Sequence, residues 1–121
     1  MSENVYWVLE AAINPGRLEE LNVLMAEMVE TTQETEAGAL NYEWAISDDQ
    51  QVCHIYERYQ DSSATMTHLK TFGEKFADRF AAAVKITRFV LYGRPNKQVM
   101  DALAGLSPVY MAPLGGFSRH A

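Results

Sequence analysis

Four side chains in this sequence pair reactive chemistry with an unusual neighbourhood: His54, Glu57, His68 and Arg88. Histidine titrates near neutrality and suits proton transfer. His54 alternates with Val52, Tyr56 and Arg58 in a strand-like run, and His68 falls in a helix-like run. Each reads as a structural or surface residue, the commoner case, or as a pocket acid or base. Glu57 interrupts a mostly apolar strand and shares its face with Ile55 and Tyr59. An unpaired buried carboxylate is costly. Glu57 therefore needs an ion pair, a backbone N–H, or a role as the acid or base of a pocket. Arg88 lies inside an apolar run, where its guanidinium wants an anion, either a protein carboxylate or a ligand oxygen. Tyr6, Trp7, Tyr42, Trp44, Tyr56, Tyr59, Phe89 and Tyr92 all fall on strand-like runs. Core and interface packing is their first reading, but a flat aromatic ligand would use the same walls.

The elements that must position these residues follow from hydrophobic period. Val5 to Ile13 alternates as a strand and is largely apolar on both faces, which implies cover on both sides. Asn14-Pro15-Gly16 ends it, with Asn14 expected to cap a helix from about Pro15 to Glu34. Leu18, Leu21, Leu24, Met25, Met28 and Val29 give that helix one apolar stripe. Residues 39–47 and 51–59 read as strands of an antiparallel hairpin around Ser47-Asp48-Asp49-Gln50. A second helix opens at Asp61, with Leu69, Phe72, Phe76 and Phe80 on one stripe and a break expected at Gly73. Residues 84–92 form a fourth strand.

The order β-α-β-β-α-β predicts an α+β fold of the ferredoxin-like split type: a four-stranded antiparallel sheet with both helices on one face. The helix-free face still carries large apolar side chains. A second copy packed against it is the simplest cover, so a homodimer through that face is expected. The domain spans residues 1–95. Residues 96–121 form a C-terminal extension, with a short helix over 96–104 and a strand over 107–112. That extension is too apolar to float free, and it should dock on the domain or on the partner subunit.

Composition narrows the partners. The formal net charge is −6 and the ten basic residues are scattered, which argues against nucleic acid and against an anionic membrane surface. No run approaches the ~18 apolar residues of a membrane span. The lone Cys53 reads as a small buried apolar residue. His120, the third histidine, is penultimate. The first residues show neither a basic nor an apolar leader, so a cytoplasmic address is the default expectation. Phosphate-cradling glycine motifs and zinc motifs are absent, which leaves no cofactor expected and only a loosely held flavin open.

Several fragments, taken in order, carry a resemblance. Pro15-Gly16, Gly38-Ala39-Leu40-Asn41-Tyr42-Glu43, Tyr56-Glu57-Arg58-Tyr59-Gln60-Asp61 and Ala64 through His68-Leu69 are similar to the antibiotic biosynthesis monooxygenase domain family. The similarity runs over about residues 5–93. It implies a dimeric α/β barrel of ferredoxin-like protomers, and some members oxidise polyphenolic rings with O₂ and neither metal nor flavin. In that pattern Glu57 matches the recurrent strand-three Glu and His68 the recurrent helix-two His. The haem-degrading branch carries a second His about five residues on, where this chain has Gly73, so haem is not expected. The resemblance implies oxidation of a hydroquinone- or anthrone-like aromatic by O₂. His68 or His54 would be the base, Glu57 its orienter and Arg88 the anion stabiliser, with Trp44, Tyr42 and Tyr56 as walls. A non-catalytic ligand-binding or stress-associated module, and an isomerase or cyclase, are the alternatives on the same scaffold.

Overall fold

In the first strand, β1 (Val5–Ile13), every second residue from Val5 to Ala11 is buried, while Tyr6, Val8 and Glu10 are only half-buried. Its pleat therefore puts one face in a core and leaves the other partly open. The computed structural model describes residues 2–119, so His120 lies outside the described residues. After β1 come α1 (Leu18–Thr35), β2 (Ala39–Ile46), β3 (Val52–Tyr59), α2 (Ser62–Lys75), α3 (Ala77–Ala83) and β4 (Val84–Gly93). Then follow α4 (Lys97–Leu103), a 3₁₀ turn (Ala104–Leu106) and β5 (Val109–Met111). This is the α+β, ferredoxin-like order expected from the sequence, and the sheet runs β2-β3-β1-β4-β5.

The sheet has five strands rather than four. β1 lies between β3 and β4, antiparallel to both, and β2 is antiparallel to β3. The added strand, β5, pairs parallel to β4 through Val90–Val109, Leu91–Tyr110 and Tyr92–Met111. A parallel neighbour needs a crossover. Here α4 and the 3₁₀ turn supply it, and Val99 and Leu103 join the same core as the rest of the chain.

Two local expectations shift. Asn14 does not cap α1: it sits in a turn that Gly16 completes at φ +77°, and its side-chain amide donates to the Ala82 carbonyl at 3.0 Å. The helix starts three residues after Pro15, and Leu21, Leu24, Met28 and Thr32 form its buried face. The second helix passes through Gly73 and breaks at Phe76 instead. Phe76 and Phe80 are both buried, and the break at Phe76 sets α3 at the angle that lets Phe80 and Ala83 reach the core. Asp61 caps α2 as expected, its carboxylate accepting from the Ala64 N–H at 2.8 Å.

The buried apolar residues of the helices join Trp7 and Leu9 of β1 in one core cluster. No helix among the described residues is long and apolar enough to cross a membrane.

Candidate functional site

Glu57 sits at the centre of β3, opposite Trp7 of β1 and Tyr42 of β2. Strand alternation turns it, with Ile55 and Tyr59, toward the helices. His68 lies one turn after the buried Thr65 on the core side of α2. A third group comes from the end of α1. Glu36 follows its last residue, and its backbone N–H donates to Thr32 O at 3.0 Å. Gly38 then lets the chain pass tightly against α2: a Cβ there would stand 2.6 Å from the Ala64 Cβ. That close approach brings Glu36 beside His68.

The three side chains form one buried cluster. His68 Nδ1 lies 3.0 Å from Glu36 Oε1, and Nε2 lies 3.2 Å from Glu57 Oε1. The Tyr59 hydroxyl donates to the same Glu57 oxygen at 2.6 Å. The rings of Tyr42 and Tyr59 pack on the imidazole at 5.3 and 5.0 Å between centroids. Burial alone would push the His68 pKa down, but the hydrogen bonds and charge of Glu36 and Glu57 outweigh it and lift it to about 9. His68 is therefore an imidazolium at neutral pH. Burial, then the Glu57 charge, holds the Tyr42 and Tyr59 hydroxyls well above the usual phenol range.

This cluster borders a cavity of about 90 Å³ between sheet and helices. Apart from Glu57, His68 and Tyr42 its walls are apolar, with Trp7, Phe72, Phe80 and Phe89 prominent. Leu103 and Leu106, from the C-terminal extension, close one side. The Trp7 Nε1–H is buried and has no hydrogen-bond partner.

Of the residues singled out from the sequence, the structure brings His68, Glu57 and Tyr42 to this cavity, together with Trp7 and Phe89 from the strand aromatics. Trp44 is on the same sheet face, packed edge-on against Tyr42 and Phe80, but it does not border the cavity. His54, Arg88 and Tyr56 lie on the opposite, helix-free face. There His54 Nε2 and Arg88 Nε approach the two oxygens of Glu10 at 3.7 and 3.9 Å. Cys53 is buried, and burial lifts its thiol to about 11, so it stays a neutral packing residue.

Sequence reasoning missed Glu36, and it named Trp7 and Tyr59 only among the strand aromatics that could wall a ligand, without the Tyr59 hydroxyl's bond to Glu57. One signal pointed to Glu36. A carboxylate at the C-terminal end of a helix faces the negative end of the helix dipole. Such a residue is poorly placed unless a cation is close by, and here that cation is His68.

Among the described residues, no group of three or more His, Cys, Asp or Glu is placed to hold a metal.

The comparisons with known proteins agree with this architecture. A family model described as antibiotic biosynthesis monooxygenase matches residues 5–86. No curated protein matches the chain. Among solved structures, MupZ from Pseudomonas fluorescens is 22% identical, with a TM-score of 0.80 over 97% of this chain and 95% of that one. A Bacteroides thetaiotaomicron protein named as a candidate antibiotic biosynthesis monooxygenase is 25% identical, with a TM-score of 0.66 over 72% of this chain and 85% of its own. A similarly named Nitrosomonas europaea protein is 17% identical, with a TM-score of 0.67 over 76% and 90%. The likeness to MupZ takes in the C-terminal extension, which the family model does not reach.

Proposed function

We propose a reaction for this chain, which belongs to the antibiotic biosynthesis monooxygenase family: the oxidation of a small electron-rich aromatic, hydroquinone- or anthrone-like, by O₂ without a cofactor. The observation that supports it is a complete acid–base pair, His68 and Glu57, at the edge of an apolar, aromatic-walled cavity inside the protomer.

Because His68 is protonated at neutral pH, it acts in this reading as the acid rather than the base, and Glu57 takes the substrate proton. The phenolic O–H of the substrate gives its proton to Glu57, and the resulting oxyanion is stabilised by the imidazolium. Electron density gathered on the ring carbon reduces O₂, and the C–O bond forms. His68 Nε2–H protonates the peroxide anion. The ring carbon then loses its hydrogen as a proton to His68, and the O–O bond breaks. The departing hydroxide takes the proton from Glu57 as water, which leaves a quinone-type carbonyl on the ring. One O₂ gives one ring oxygen and one water, and both residues return to their starting states. The protein's contribution is orientation, exclusion of water and proton transfer.

Cavity size constrains entry. A cavity of ~150 Å³ admits benzene, so at about 90 Å³ this one must widen for a ring. Leu106, on the short turn that closes one side, is 37% exposed and is the wall residue best placed to move.

Incubation with a panel of phenols, hydroquinones and anthrones, with and without O₂, tests the reading. Turnover should require O₂ and should fall by ~10²-fold or more in His68→Gln and in Glu57→Gln, while His54→Ala, on the far face, retains it. O₂-dependent turnover that survives both core substitutions would end the assignment. The same acid–base pair also supports a second reading, isomerisation or cyclisation, because proton transfer between imidazolium and carboxylate needs no oxidant. Product formation without O₂ would select it.

A further inference from the structure

We infer that Glu36 is the positioning residue of the site: from behind the imidazole it holds the Nδ1–H of His68, leaving Nε2 as the atom that exchanges a proton with whatever occupies the cavity. The inference rests on the acid–base reading given above. It takes its force from an asymmetry between the two carboxylates.

Glu57 Oε1 already accepts the Tyr59 hydroxyl at 2.6 Å and meets His68 only at 3.2 Å. Glu36 Oε1 meets His68 Nδ1 at the shorter 3.0 Å. Its other oxygen, Oε2, is buried with no partner, so nothing else competes for the Glu36 charge. A carboxylate satisfied by a phenol is a weaker acceptor than one with a single partner. When the imidazolium gives up one proton, the better-held one at Nδ1 stays and the one at Nε2 leaves. Glu57 borders the cavity whereas Glu36 does not, so the proton that leaves is the one on the reactive side. A hydrogen bond at one ring nitrogen commonly sets which tautomer the other nitrogen presents.

The groups that face His68 are Glu36 from the end of α1, Tyr42 from β2, and Glu57 and Tyr59 from β3. Burial keeps both tyrosines neutral, so the two carboxylates set the charge around the ring.

The test is nitrogen NMR of ring-labelled histidine in the full chain, with the His68 signal assigned from its loss in His68→Gln. In the wild type, the neutral form at high pH should carry its proton on Nδ1. In Glu36→Gln the His68 titration point should drop by at least one pH unit, and the tautomers should mix. With a turned-over substrate in hand, the high-pH limb of kcat should move down by the same amount, with KM changed less than twofold. A residue that only stabilised the fold would lower the melting temperature and leave titration and tautomer where they were. Neutral His68 carrying its proton on Nε2 in the wild type overturns the inference, and so does an unchanged titration point in Glu36→Gln. The wild-type tautomer decides the matter even if that variant does not fold. Because the spectra need no substrate, loss of the monooxygenase reading would leave the result for Glu36 intact.

Discussion

With its pKa lifted from 6.5 to about 9, His68 holds a proton in the folded chain that the unfolded chain releases between those values. The sign follows from linkage. The stabilisation is fully present below pH 6.5 and drains away as pH rises through 9. Urea unfolding at pH 7 and at pH 9 should show the wild type losing on the order of 2 kcal/mol that His68→Gln does not lose. Equal losses in the two proteins would mean that the paired imidazolium is not the cause. At this scale the sequence was partly legible. Alternation along the third strand already separates His54 from Glu57, since they lie three residues apart on opposite faces. What alternation could not supply was the face that holds the cavity. Arg88 was harder still, because its strand is apolar on both sides and a register shift between Glu10 and Ala11 breaks the parity count near it. Glu36 belongs to no periodic pattern, as it stands just beyond the end of a helix.

Elements were most legible where period and length agreed. β1, β2, β3 and β4 fall within a residue or so of their expected ranges, because two-residue alternation survives any tertiary context that buries one face. The second helix shows where propensity misleads. Gly73 marks a weak point in an isolated helix, yet α2 runs through it, and the chain turns at Phe76 where core packing requires a new direction. The two Phe residues that α3 helps to bury outweigh the roughly 1 kcal/mol by which glycine disfavours a helix. Gly73 has no positive φ, and a Cβ there would meet nothing within 4 Å. Gly73→Ala should therefore stabilise the chain by ~0.5–1 kcal/mol without moving the break or the site. Thermal unfolding of the two proteins measures this, and a destabilised variant would show that the glycine has a role the backbone does not reveal. The fifth strand was expected as a strand, but its place in the sheet was not. Residues 107–112 read as a strand, but nothing in a three-residue run with all side chains exposed says which edge it will join.

For the whole molecule, the helix-free side of the sheet remains to be accounted for. Tyr6 stacks on Tyr92 there at 5.1 Å and 8°, and Val8 lies between Tyr56 and Val90 in the strand register. The last described residues turn back toward this side: Ser118 Oγ accepts from Arg58 Nη1 at 3.1 Å, while Leu114 and Phe117 stay exposed. An apolar surface of this kind, rimmed by Glu10, His54 and Arg88, fits burial against a second copy of the chain better than contact with water. On that reading the three rim residues belong to the interface, and their mutual contacts set its polar edge rather than any chemistry. Val8 offers a clean probe because its side chain points away from the helices and the cavity. Val8→Lys should turn a dimer at micromolar concentration into a monomer by sedimentation, with the far-ultraviolet circular dichroism of the fold retained. A wild type that sediments as a monomer, or a Val8→Lys protein that remains a dimer, would place the partner contact on some other surface and return His54 and Arg88 to the list of residues in need of a function.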